Sequence, residues 1–108
     1  MATPIRGTTP VNVFFLYDSE DKPIDVSLIE DFVVTYVENG VVKLEKQKDD
    51  CVFEENCIKV VLSQADTLLF NPDTIIEIQI KAKFVDLNVY ATEIVKTSFK
   101  KILNEEIF

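Results

Sequence analysis

The stretch Thr74-Ile75-Ile76-Glu77-Ile78-Gln79-Ile80-Lys81-Ala82-Lys83-Phe84 decides the fold. Ile76, Ile78, Ile80, Ala82 and Phe84 alternate with Glu77, Gln79, Lys81 and Lys83, and a period of two sends successive side chains to opposite faces. One face is dry and the other wet, which is the pattern of a half-buried antiparallel strand. Val11 to Tyr17, Phe32 to Val37, Val41 to Glu45, Cys51 to Phe53, Ile58 to Leu62 and Val89 to Phe99 read as further strands, rich in β-branched and aromatic residues.

The punctuation between these runs predicts how they pair. Asn39-Gly40 suits a type I′ turn, because both residues tolerate positive φ, so the flanking strands form a hairpin. Glu54-Glu55-Asn56 marks a second hairpin. Asp25 to Glu30 is either a short helical turn or an extended connection. Ser63-Gln64-Ala65-Asp66 has the form of a capping box, and Asn71-Pro72-Asp73 ends any helix soon after, so one short helical turn is expected to cross between sheets. From Lys100 onward both an extended tail and a terminal helical turn fit the spacing of Phe99, Ile102, Leu103 and Ile107. About seven strands with one helical turn predict an all-β antiparallel sandwich in a single domain spanning residues 1–108.

Composition removes many functions. The chain has 108 residues, 47% hydrophobic and 28% charged, enough for one modest core. With 11 basic and 19 acidic residues the net charge is −8, so phosphate backbones and anionic lipid surfaces are repelled, and neither nucleic acid nor membrane is expected as a partner. There is no histidine, which excludes Ser–His and Cys–His catalysis. Gly7 and Gly40 are the only glycines, too few for a phosphate-binding loop. No enzyme, cofactor or small-molecule substrate is expected.

The N-terminus lacks the apolar core of a signal peptide and no run is long enough to span a bilayer, so the chain reads as kept in a cytoplasm. Cys51 and Cys57 flank the second turn without facing each other in the simplest registers. Two reduced thiols are expected, with a disulfide as the alternative.

The remaining chemistry is sparse. Asp18, Glu20, Asp21 and Asp25 place four oxygen donors in one loop, a candidate calcium site without the glycine and closing glutamate of an EF-hand. The plain reading is a solubilising loop. The adjacent pairs Asp49/Asp50, Glu54/Glu55 and Glu105/Glu106 sit in turns or the tail, where solvated acids are expected. Lys43, Lys46 and Lys48, with Lys96, Lys100 and Lys101, read as solubilising lysines that discourage edge pairing.

Three segments carry a resemblance. Gly7-Thr8-Thr9-Pro10 before the first strand, Leu62-Ser63-Gln64-Ala65-Asp66-Thr67-Leu68-Leu69-Phe70, and Glu77-Ile78-Gln79-Ile80-Lys81 with a closing Ile102-Leu103 resemble short phage and prophage proteins of Gram-positive gut bacteria. The chain is also similar to the immunoglobulin-like N-terminal domain of phage baseplate upper proteins. The resemblance implies an immunoglobulin-like sandwich in a tail, baseplate or fibre module, made in the bacterial cytoplasm and then built into a virion, with self-association or other virion proteins as partners. It departs from that group at Asp86-Leu87-Asn88, where the relatives carry an aspartate-glycine turn, so a differently shaped last hairpin is expected. The segment Leu62 to Phe70 also has a purely structural reading, in which Leu68 and Phe70 plug one end of the sandwich.

The interface candidates are Val11, Val13, Phe15 and Tyr17 on an expected edge strand, and Ile102, Leu103, Ile107 and Phe108 in the tail. The tail residues could equally dock onto the protein's own core. The competing function is a small-ligand or carbohydrate-binding module, calcium-assisted through the acidic loop.

Overall fold

A computed structural model describes residues 4–92 and 94–108. Eight strands form two antiparallel sheets: β1 (Val11–Phe14), β2 (Ile29–Glu38), β3 (Val41–Gln47), β4 (Cys51–Glu54), β5 (Cys57–Val61), β6 (Ile76–Phe84), β7 (Val89–Ala91) and β8 (Val95–Thr97). A five-residue helix α1 (Gln64–Leu68) links β5 to β6, and 3-10 turns occupy Val26–Leu28 and Lys48–Asp50. The small sheet runs β1-β5-β4 and the large one β3-β2-β6, with β7 and β8 both on the far side of β6. That order is the strand order of an immunoglobulin-like sandwich in which β1, β5 and β4 stand as strands B, E and D and the larger sheet as C′, C, F and G. The fold is an all-β sandwich.

Alternation places the core as the sequence implies. Ile76, Ile78, Ile80 and Ala82 of β6 are buried, and they meet Phe32, Val34 and Tyr36 of β2 and Ile58, Val60 and Leu62 from the β5 side in one cluster. Phe32 and Phe53 join the two sheets edge to face, with centroids 5.3 Å apart. The turns follow their residues. Asn39 and Gly40 adopt φ of 52° and 76°, and Glu38 faces Val41 across a two-residue turn. Asn56, with φ of 65°, closes the β4–β5 hairpin, in which Cys51 faces Val60 and Cys57 faces Glu54. Both cysteines are free thiols, and burial pushes the Cys51 thiol up, which keeps it protonated.

Two strand boundaries differ from expectation. The first strand ends at Phe14, because Leu16 and Tyr17 leave β5 and fold back on the loop: the Ile24 N–H donates to the Leu16 carbonyl and Tyr17 bridges Pro23. The expected strand Val89–Phe99 is two strands. Lys81 pairs with Ala91 while Ile78 pairs with Val95, three steps along β6 against four on the partner, so one extra residue bulges the strand. Thr92 covers the gap, its hydroxyl accepting the Ile80 N–H at 3.0 Å. Glu93 lies outside the described residues. The tail after Lys100 is irregular, with neither helix nor strand, and bends at Leu103.

The Asp86-Leu87-Asn88 turn keeps the left-handed residue that a glycine would supply, in a side chain ill suited to it. Leu87 has φ of 70°, a conformation that costs a β-carbon-bearing residue about 1 kcal/mol. Its N–H donates to the Phe84 carbonyl, and Asp86 accepts from the Asn88 backbone and side-chain amides.

One polar contact crosses the core. Asn12, inward on β1, donates its Nδ2 to the Tyr36 hydroxyl at 2.6 Å. Burial pushes the Tyr36 phenol up to about 12, against the opposing effect of that bond. The neutral phenol is therefore favoured by folding, so its contribution is intact below pH 10.0 and is lost as pH rises through about 12. Tyr36→Phe leaves Asn12 without its acceptor and costs about 1 kcal/mol at neutral pH. Melting temperatures of the two proteins should converge above pH 10.0. A gap that stays constant to pH 12 would show the phenol is not desolvated.

Candidate functional site

Two of the segments that carry the resemblance, together with Ile102, meet at one end of the sandwich. The Gly7 N–H donates to the Thr67 hydroxyl at 2.8 Å, and that hydroxyl lies 2.9 Å from the Thr8 carbonyl as its donor. Arg6 reaches α1, its Nε on the Phe70 carbonyl and an Nη on the Leu68 carbonyl, while its other Nη pairs with Glu105 of the tail. The helix is too short to satisfy its own last carbonyls, and a guanidinium fork suits them. Gly7 sits at φ of 74°, and a β-carbon there would lie 3.3 Å from both Ile102 and Leu68. The capping box forms as expected: the Asp66 N–H donates to Ser63 Oγ at 3.0 Å and the Ser63 N–H to Asp66 Oδ2 at 2.9 Å. Burial alone would raise the Asp66 pKa, but Lys46, 2.8 Å away, and Ser63 hold it below the ordinary aspartate value. This end is a structural clasp. Phe70 is the plug, stacked on Phe99, whereas Leu68 is half-buried and Thr67 is fully buried.

A second buried group lies beside the clasp, and sequence reading missed it. Glu38 is 1% exposed, and its carboxylate accepts the Asn71 N–H at 2.9 Å and the Asn71 Nδ2 at 2.6 Å. Glu38 looks like the first turn residue before Asn39-Gly40. Yet it continues the phase of Phe32, Val34 and Tyr36, and that phase was the available signal.

The acidic loop uses its carboxylates one at a time. Asp18 Oδ1 accepts the Glu20 and Lys22 N–H groups, Glu20 pairs with Lys22, and Asp25 accepts from the Ser27 N–H and hydroxyl. The Ser27 bonds hold Asp25 below the ordinary aspartate range. Asp18, Glu20, Asp21 and Asp25 do not converge, and among the described residues no group of three or more His, Cys, Asp or Glu is arranged to hold a metal. The lysines are also dispersed: Lys46 pairs with Asp66, and Lys48 donates to the Ile29 carbonyl at 2.9 Å beside the Phe53 ring.

What the fold leaves open is an edge. β1 and β4 are the edges of the small sheet. The Leu62 N–H bonds the Pro10 carbonyl, and the same register makes Asn12–Val60 and Phe14–Ile58 the bonded pairs. Bonded pairs alternate in an antiparallel ladder, so the N–H and C=O of Val11 and Val13 point away from β5. In an immunoglobulin-like sandwich a first strand would lie there. Here Pro4 to Arg6 run along Lys100 instead: the Lys100 N–H bonds the Pro4 carbonyl and the Arg6 N–H bonds the Lys100 carbonyl.

Val11, Val13, Phe15 and Tyr17 all face outward, each about half exposed; Val61 extends this apolar face onto β5, while Lys59 separates Val13 from Val52 of β4. Beyond Phe14 the two sheets part. A groove of about 1050 Å³ runs between Phe14–Tyr17 on one side and Tyr90–Thr92 with Val95 on the other, floored by Ile78, Ile80 and Ala82 of β6. Asp18, Asp21, Asp25 and Asp86 line one end, and among the described residues no lysine or arginine lines it.

The tail divides. Ile102 is half-buried against the clasp, and Gln64 holds the Phe108 backbone through both its amide groups. Leu103 and the Phe108 side chain project into solvent at 95% and 93% exposure, and Ile107 is exposed beside them. Among the described residues no helix is long and apolar enough to cross a membrane. The class defined by fold and surface is an all-β sandwich with an open apolar edge. Comparison with protein families, curated proteins and solved structures finds no match.

Proposed function

We propose that this chain is a non-enzymatic structural or adaptor domain of a phage or prophage particle, in its tail, baseplate or fibre region, acting through contacts with itself or with other virion proteins. The observation that carries the protein-contact part is the unpaired edge of β1 with its outward Val11, Val13, Phe15 and Tyr17. An edge strand that is neither charged nor covered is a ready template for association. Leu103 and Phe108 add a second apolar element at the opposite end.

A catalytic role has little to work with. The sequence has no histidine, and the buried carboxylate of Glu38 and the part-buried one of Asp66 are engaged, Glu38 with Asn71 and Asp66 with Lys46 and Ser63. The particle context rests on the sequence resemblance of the Gly7–Pro10, Leu62–Phe70 and Glu77–Lys81 segments. In that setting the protein is made in the bacterial cytoplasm and then incorporated in the virion.

Mass spectrometry of purified particles induced from the source bacterium tests this, with light scattering of the isolated chain beside it. The chain should be found in the particle at a copy number typical of a structural component. Absence from every particle, together with a stable monomer that joins no assembly, would overturn the assignment.

A further inference from the structure

We propose that the groove between β1 and the β7/β8 edge takes up an extended strand of a partner protein, alternating in apolar side chains and carrying lysine or arginine at the end that meets Asp18, Asp21, Asp25 and Asp86. This rests on the reading of the chain as a protein-contact domain and names the chemistry of its partner.

Three features converge on one occupant. First, the outward N–H and C=O groups of Val11 and Val13 offer a ladder to a new strand, which is how an extended peptide gains affinity without a preformed pocket. Second, a strand laid along that edge sends alternate side chains inward, and the groove there has an apolar floor at Ile78, Ile80 and Ala82 and apolar walls at Phe14, Leu16 and Tyr90. Third, the rim is acidic at one end only, without a compensating lysine or arginine in the lining.

That last feature selects among occupants. A second copy of this chain brings a net charge of −8 of its own, so pairing two copies works against their mutual repulsion. A basic partner segment gains instead. The carboxylates of Asp18, Asp25 and Asp86 are held in place by amides or hydroxyls of their own turns. The unpaired edge of β1 begins at Val11 and leads into the groove wall at Phe14 and Phe15, which suits an occupant of about five or six residues, an ordinary strand length.

The test uses the full chain as bait for a displayed library of random peptides of about ten residues. Enriched sequences should alternate apolar and polar positions and cluster lysine or arginine at one end. The enriched consensus peptide is then titrated against two variants. Val13→Pro removes an N–H that points off the sheet and leaves the β5 ladder intact, so the melting temperature should hold while affinity falls at least about tenfold. Asp21→Asn with Asp86→Asn keeps the φ tolerance and the turn acceptor but removes two charges, weakening binding about three- to tenfold and flattening its salt dependence.

No enrichment, enrichment of acidic sequences, or binding that Val13→Pro leaves unchanged would overturn the proposal. So would a dimer in light scattering that Val13→Pro returns to monomer, since the occupant would then be a second copy. The two readings fail separately: a chain found in particles but enriching no peptide keeps the virion role and loses the groove. A chain that enriches basic strands but is absent from every particle does the reverse.

Discussion

Phe70→Ala should lower the unfolding free energy by about 4 kcal/mol, the upper part of the range for removing a buried aromatic ring. Phe70 is 1% exposed and stacks on Phe99 at 5.3 Å and 16°, with Tyr36 tilted against it at 6.1 Å. The ring closes the sandwich at the end where α1 crosses from one sheet to the other. Alanine there leaves a cavity that the neighbours cannot fill, because Tyr36 is tied to Asn12 and the carbonyl of residue 70 is held by Arg6. The melting temperature should fall by about 20 °C for a domain of this size. Phe70→Leu should cost less than half as much in a urea titration. A loss under about 1.5 kcal/mol for alanine would mean the end of the sandwich is not packed as described.

The next largest effect should come from Glu38. Its carboxylate is buried and its bonded partner is the backbone and side chain of Asn71, so Glu38→Ala removes the acceptor of two part-buried donors. The expected cost is about 2 kcal/mol, since two hydrogen bonds to a charged acceptor are lost while the donors can still reach solvent. Glu38→Gln keeps one acceptor and should cost about 1 kcal/mol. A double-mutant cycle with Asn71→Ala isolates the pair and should give a coupling of about 1 to 3 kcal/mol. Additive single effects would show that solvent, and not Asn71, satisfies the carboxylate.

Both predictions concern residues whose importance was unequally visible in the chain. Phe70 follows a capping box and precedes Asn71-Pro72, so its place at the end of a short crossing turn was legible as a plug. Leu68 looked equally suited, yet it is only half-buried, and Thr67 takes the fully buried position because its hydroxyl has two partners at Gly7 and Thr8. Glu38 was hidden by composition. A carboxylate beside Asn39-Gly40 reads as solvated, and only the arrival of Asn71 from 33 positions away makes its burial affordable in free energy.

The interaction surface was legible in part. Alternation alone put Val11, Val13, Phe15 and Tyr17 on one face, and no charged residue interrupts it. That the edge of this strand is vacant could not be read, because the decision is made elsewhere, where Pro4 to Arg6 pair with Lys100 and leave β1 uncovered. The acidic loop was weighed as a metal site on its local spacing. The Asp18 and Asp25 carboxylates instead accept from amides and a hydroxyl of their own turns, and Asp86 lines the same groove.

Periodicity and turn chemistry are local properties, so the residues by themselves determined that this chain forms alternating strands, where Asn39-Gly40 and Ser63 to Asp66 bend it, and which faces are dry. The bulge between β7 and β8, the burial of Glu38, the clasp at Arg6 and Gly7, and the groove with its one acidic end were decided by tertiary structure. Each depends on groups far apart in sequence meeting in space, and no window of neighbouring residues contains that information.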